Sequence, residues 1–84
     1  MTKKITFQNW INKYSTHRRI AKEIGVSHQT VINWCKYINS PYGRNLIKLK
    51  QINERCEIEN KDLIDIDHLL EKSEEETRKR RKKS

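Results

Sequence analysis

The sequence predicts an all-α protein, a small bundle of about five helices followed by a charged C-terminal extension. With 84 residues, of which 33% are hydrophobic, the chain can bury one small core and no second one. Apolar residues recur at spacings of three and four along most of the chain, which is the period of an amphipathic helix. We therefore assign residues 1–70 to one domain and residues 71–84 to a charged, flexible tail.

The first predicted helix follows Thr6, a residue type that serves well as an N-cap. An apolar stripe then recurs at helical spacing and consists of Phe7, Trp10, Ile11 and Tyr14. Such a stripe is far more often part of a core than part of a ligand site. We therefore expect this helix to pack its aromatic face inward.

The next two helices are predicted to form a helix-turn-helix. Thr16 can cap the first of them, in which Ile20 and Ile24 lie one turn apart. Ala21 is small enough for a second helix to cross closely over it. Gly25 permits the positive φ that a tight exit from this helix requires.

The second helix of this motif is expected to run from the cap Ser27 to about Tyr37. Val26 can fill the corner before it, and Val31 and Trp34 lie three residues apart on one face. The opposite face is polar and free to contact a partner. A plain helical hairpin remains the alternative, because close packing and a capping glycine are generic needs.

The polar residues at the start of this helix are candidates for reading base edges in a DNA major groove. Gln29 and Asn33 lie four residues apart, and an amide side chain can bond bidentately to N6 and N7 of adenine. The residues predicted to read bases are His28, Gln29, Thr30 and Asn33, together with Ser27, which is divided between capping the helix and binding phosphate. For each of them, the alternative is a solvated polar side chain that contacts no base.

The fourth helix has two candidate starts. Ser40 and Pro41 offer an N-cap and a first helical position, whereas Gly43 would delay the helix to Arg44. We expect its buried side to carry Leu46, Leu49, Ile52 and Cys56.

The fifth helix is predicted to start at Asn60 and Asp62 and to carry Leu63, Ile66, Leu69 and Leu70. Leu63, Ile66 and Leu70 are expected to share a face, which either joins two subunits or packs on the core. After Leu70 every residue is polar or charged, so residues 71–84 form either a frayed extension of this helix or a disordered tail.

Charge is segregated along the chain. Residues 1–56 hold 11 basic and two acidic residues, and residues 57–77 hold nine acidic and two basic ones. Six further basic residues between 78 and 84 bring the net charge to +8. We expect the basic first part to attract phosphate and the acidic stretch to avoid it.

Neither catalysis nor a cofactor is predicted. The chain shows no paired catalytic groups and no phosphate-binding loop. Cys35 and Cys56 fit no metal-binding spacing and are expected to be free thiols, and the histidines form no ligand cluster with them. No apolar segment has the length of a membrane span or of a signal peptide, so we expect a cytoplasmic protein that does not bind membranes.

The segment IAKEIGVSHQTVINW, a loop with Pro41 and Gly43, and the following GRNLIKLKQINERCEIENKDL resemble the DNA-binding domains of phage Cro and repressor proteins. The nearest layout is the Cro-like group that includes YdaS antitoxins. The resemblance covers about residues 5–66. It implies that the third helix enters the major groove through Ser27, His28, Gln29 and Asn33, and that the backbone is gripped at Tyr42, Gly43, Arg44 and Asn45. The mixed-charge tail departs from this family, and no strand pair resembles the hairpin through which some Cro proteins dimerise.

These observations predict a sequence-specific regulator of transcription that binds double-stranded DNA. A single hairpin reads a short half-site, so we expect a homodimer on an inverted-repeat operator. The predicted phosphate-binding residues are His17, Arg18, Arg19, Lys36, Tyr42, Arg44 and Asn45. Two alternatives remain, a DNA-binding recruiting module such as a small terminase subunit or an excisionase, and an antitoxin that binds a partner protein.

Overall fold

A computed structural model of the chain describes residues 3–81 and is built from five helices and one pair of short strands. In chain order the elements are β1 (Lys4–Ile5), α1 (Phe7–Tyr14), α2 (His17–Ile24), α3 (His28–Cys35), α4 (Arg44–Ile58), β2 (Leu63–Ile64) and α5 (Ile66–Arg81). This arrangement confirms the predicted all-α class. Among the described residues, no helix is both long enough and apolar enough to cross a membrane.

The first three helices begin at the caps that the sequence predicts. The hydroxyl oxygens of Thr6, Thr16 and Ser27 each accept a hydrogen bond from the backbone N–H three residues ahead, at 3.1–3.3 Å. Gly25 ends α2 in the left-handed region, with φ +93°. Local sequence therefore determines where the helix-turn-helix begins and turns.

A single core is formed by residues of α1 to α5 and β2. Its buried members are Phe7, Trp10, Ile11, Ile20, Ala21, Ile24, Val31, Trp34, Leu49, Ile52, Cys56, Ile64 and Leu69. The rings of Phe7 and Trp34 meet at 6.3 Å between centroids, so α1 packs against α3. Leu46, predicted to be buried with the other α4 residues, is half-buried.

Helix α4 begins at Arg44, as expected if Gly43 delays it, and not at Ser40 and Pro41. Gly43 has φ +56° and ψ −128°, a conformation that is not helical and that favours glycine. Helix α3 ends at Cys35, two residues before the predicted end, because Tyr37 already has a left-handed backbone with φ +61°.

The predicted start of the fifth helix at Asn60 and Asp62 is wrong. Leu63 and Ile64 instead form β2, which pairs in parallel with β1. Its other edge is bonded to Asn53, whose side-chain amide donates to the Ile64 carbonyl oxygen at 2.9 Å and accepts from the Ile64 N–H at 2.8 Å. Helix α5 begins only at Ile66, after these backbone groups have been used.

The predicted common helical face of Leu63, Ile66 and Leu70 is therefore also wrong. Leu63 lies on a strand, and both Leu63 and Ile66 are half-buried and pack against the core of the same chain. Leu70 is half-buried on α5. The first two residues thus contribute to the core, which was one of the two roles that the sequence left open.

Helix α5 runs without interruption across residue 70, the predicted domain boundary. Ser73, inside the expected tail, is only 2% exposed. The helical extension is therefore the alternative observed over residues 71–81, and the last three residues of the basic end lie outside the described residues.

Candidate nucleic-acid interface

The outer face of α3 presents two hydrogen-bonding amides. At 3.6 residues per turn, Gln29 and Asn33 lie opposite the buried pair Val31 and Trp34, which are 0% and 2% exposed. The Gln29 side-chain amide donates to Oδ1 of Asn33 at 3.1 Å. This bond leaves one Gln29 N–H and its carbonyl oxygen free to contact a base edge.

The other predicted base-reading residues lie around this pair and have local partners in two cases. Ser27 caps α3, and its hydroxyl oxygen lies 2.9 Å from the hydroxyl oxygen of Thr30. Thr30 is half-buried and lines a groove beside the helix. His28 is exposed at the first position of α3. Four of the five residues thus form the cap and the first turn of α3, and Asn33 lies one turn further along the helix.

The predicted phosphate-binding residues of α2 differ in how free their side chains are. His17 is half-buried, and its Nε2 lies 3.1 Å from the side-chain oxygen of Gln8. Arg18 is exposed. Arg19 is also exposed, but it lines a cleft with Glu23, whose carboxylate pairs with Arg55 at 2.7 Å. Arg18 has the least obstructed position of the three.

The second predicted phosphate-binding group lies around the end of α3 and the start of α4. Lys36 is exposed at the end of α3, Tyr42 is 80% exposed in the loop, and Arg44 is exposed at the first position of α4. Asn45 is half-buried beside them. These four residues therefore lie between the end of α3 and the first turn of α4.

An open groove, here called the α3–α4 groove, joins Thr30 of α3 to the loop and to α4. Its lining residues are Val26, Thr30, Trp34, Ile38, Asn39, Ser40, Tyr42, Asn45 and Thr77. The structure thus brings three of the predicted site residues, Thr30, Tyr42 and Asn45, to one surface. Sequence reasoning missed Thr77, which α5 contributes.

Helix α5 also contacts the loop directly. The guanidinium of Arg80 donates to the carbonyl oxygens of Tyr37 at 3.2 Å and Ile38 at 3.1 Å, and the Ser73 hydroxyl donates to the Asn39 carbonyl oxygen at 3.3 Å. The sequence feature that could have predicted these contacts is the spacing of Ser73, Thr77 and Arg80, which lie four and three residues apart and therefore share a helical face.

Two of the basic residues at the end of α5 form ion pairs within their own helix. Arg78 lies 2.7 Å from Glu74, and Lys79 lies 3.5 Å from Glu75. Pairs of this spacing on an exposed helix are weak and exchange readily with other anions. They reduce the positive charge that this end offers to phosphate without removing it.

The two cysteines are free thiols. Cys35 lies at the end of α3, and burial raises its pKa to about 11. Burial also raises the pKa of Cys56. Within residues 3–81, no group of three or more His, Cys, Asp and Glu residues is arranged to hold a metal ion.

Comparison of the chain with protein-family models, with curated proteins and with solved structures finds no match. The resemblance to Cro and repressor domains therefore rests on the residues of the chain itself.

Proposed function

We propose that the protein is a sequence-specific regulator of transcription, similar to phage Cro and repressor proteins, that binds double-stranded DNA. The proposal is carried by the geometry of α3, whose buried face holds Val31 and Trp34 while its free face presents Gln29 and Asn33. This is the arrangement that a helix needs to lie in the major groove.

Base recognition is assigned to the amide pair. Adenine offers an N6–H donor and an N7 acceptor in the major groove, and a carboxamide matches both with its oxygen and one N–H. Gln29 retains these two groups after donating its other N–H to Asn33. Asn33 therefore orients Gln29 as well as presenting its own side-chain N–H groups.

Phosphate binding is assigned to the basic and polar residues on both sides of α3. Arg18 lies on α2, while Lys36, Tyr42 and Arg44 follow α3. Residues 1–56 carry 11 basic residues against two acidic ones, so this part of the chain has a strong positive field. Such contacts set the register on the duplex and leave sequence discrimination to α3.

The proposed DNA target is an inverted repeat that binds two subunits, in the cytoplasm. One recognition helix reads only a short half-site, and two helices about one helical turn of DNA apart multiply affinity and specificity. Sedimentation of Leu70→Asp tests whether Leu70 joins the subunits. A folded monomer would support Leu70 as part of the dimer interface, whereas an unchanged dimer would show that the interface lies elsewhere.

The test is a selection of bound duplexes from a random DNA library with the full chain. We expect a palindromic consensus, enriched by the wild type and by the control variant Gln51→Ala, whose exposed amide lies on α4 in a cleft with Glu23 and Ile24 of α2. We expect the double variant Gln29→Ala and Asn33→Ala to lose that consensus. Failure of the wild type to enrich any sequence would refute the proposed function.

A further inference from the structure

Helix α3 ends in a left-handed turn at a residue poorly suited to that conformation. Tyr37 has φ +61°. At the equivalent ends of α2 and α4, the chain uses Gly25 with φ +93° and Asn60 with φ +57°, residue types that tolerate this region well. A tyrosine at this position costs free energy, so other contacts must stabilise it.

The turn is closed by backbone hydrogen bonds to α3 itself. The Tyr37 N–H donates to the Trp34 carbonyl oxygen at 3.1 Å, and the Ile38 N–H donates to the Asn33 carbonyl oxygen at 2.9 Å. These two bonds define a Schellman motif. Asn33, one of the predicted base-reading residues, is thus bonded through its backbone to the turn.

Helix α5 supplies the remaining contacts to this turn. Nη2 of Arg80 donates to the carbonyl oxygens of both Tyr37 and Ile38. The ring of Tyr37 meets the ring of His68 edge-on, with 5.8 Å between centroids. Two residues in succession are therefore held by α5 through their main chain, and one of them also through its side chain.

The other part of α5 is fixed in the protein. Leu69 is 1% exposed in the core, and Ser73 is 2% exposed and bonds to the Asn39 carbonyl oxygen. A rigid helix thus connects the core to the loop that leads to Tyr42 and Arg44.

We propose that α5 is a brace for the recognition helix and that Arg80 is a positioning residue, which holds residues 37 and 38 and so presets the loop that follows α3. The effect on DNA affinity rests on the function proposed above, whereas the effect on the loop does not. Arg80 acts here through backbone carbonyls and not as a ligand of phosphate.

Arg78 provides a matched control, because it lies on the same helix and carries the same charge, and within the described part of the chain its guanidinium bonds to Glu74 alone. We expect Arg80→Met to speed hydrogen exchange of the Ile38 amide about tenfold, since a charge-assisted hydrogen bond holds each carbonyl of the turn. Arg78→Met should leave this rate unchanged. Arg80→Lys, which keeps one donor group, should restore part of the protection. If the Ile38 amide exchanges equally fast in Arg80→Met and the wild type, both folded, the brace is disproved.

The consequence for DNA is measured with a short duplex that carries the consensus selected by the wild type. Relative to Arg78→Met, Arg80→Met should bind about tenfold more weakly, with the same slope of log affinity against log salt. A slope lower by about 0.9 than in the control would make Arg80 a phosphate ligand and overturn its positioning role. Equal affinity of the two variants would also overturn it. Absence of DNA binding by the wild type would refute the proposed function instead. The hydrogen-exchange rates would still test whether Arg80 holds the turn at residues 37 and 38.

Discussion

The hydrogen bond between Gln29 and Asn33 predicts that these two residues do not act independently on DNA. Each truncation to alanine should cost about 1–3 kcal/mol of operator binding, the range expected for a lost base contact. Asn33→Ala also removes the acceptor at 3.1 Å that orients Gln29, so it should cost part of the Gln29 contact as well.

The magnitude of this coupling follows from the bond itself. A single neutral hydrogen bond contributes about 1 kcal/mol net, so the double variant should lose about 1 kcal/mol less than the sum of the single losses. In dissociation constants this is a factor of about five. Neither truncation should alter stability much, because Gln29 is exposed and Asn33, although half-buried, is not a member of the buried core.

The assay is a double-mutant cycle measured by fluorescence anisotropy on the selected duplex at one salt concentration, with Gln51→Ala as the control. Thermal melts of each variant establish that it is folded. If the losses of binding free energy in the two single variants summed to the loss in the double variant, the hydrogen bond between Gln29 and Asn33 would make no contribution to DNA binding. If both single variants kept the full preference of the wild type for its consensus, the assignment of α3 to the major groove would be refuted.

Four further outcomes are expected. Gly25→Ala should destabilise the protein by about 1–2 kcal/mol in urea unfolding, because the added Cβ meets no atom within 4 Å and only the left-handed backbone opposes it; a loss well beyond this range would indicate a clash. The Lys13 ammonium holds the pKa of Asp62 below its ordinary value, so the carboxylate stabilises the fold at pH values above the ordinary pKa and loses this effect as the pH falls through the lowered pKa. The difference in unfolding free energy between the wild type and Asp62→Asn should therefore shrink in acid. A difference that stays constant with pH would contradict this. Burial raises the pKa of Cys35 to about 11, so at about pH 8 this thiol should react with a thiol reagent far more slowly in the folded than in the denatured protein. Peptide mapping measures the two rates. Equal rates would disprove the burial of Cys35. Removal of residues 78–84 should flatten the salt slope of DNA binding by about 3 per subunit if Arg78, Lys79 and Arg80 keep their contacts within the protein. The decrease should be about 4.5 if every basic residue of this end except Arg80 reaches phosphate. An unchanged slope would exclude phosphate contacts by this end.

The parts of the fold that the sequence predicted are those with local causes. Thr16, Ser27 and Gly25 each bond or turn within a few residues of their own position, so their effect can be seen in a short stretch of chain. The same is true of the amide pair on α3, because residues four apart on a helix are always neighbours.

The parts that were missed depend on partners distant in sequence. Leu63 has a helical spacing from Ile66 and Leu70, but Leu63 and Ile64 form a strand because β1 and the side chain of Asn53 bond their backbone groups. The sequence predicted no partner for helix α5 after Leu70. The structure shows that Ser73 and Arg80 bond backbone carbonyls of the loop in this part of the helix. Such contacts are made by polar side chains and therefore leave no hydrophobic pattern in the sequence.

The side chain of Asn53 has a consequence for how this protein meets other chains. An unpaired strand edge invites a strand from a neighbouring molecule, which is a common beginning of aggregation. On β2, the N–H and the carbonyl of Ile64 that point away from β1 are already bonded to the two ends of one carboxamide. An incoming strand would have to displace that amide first. One helical residue therefore takes the place of a third strand at Ile64.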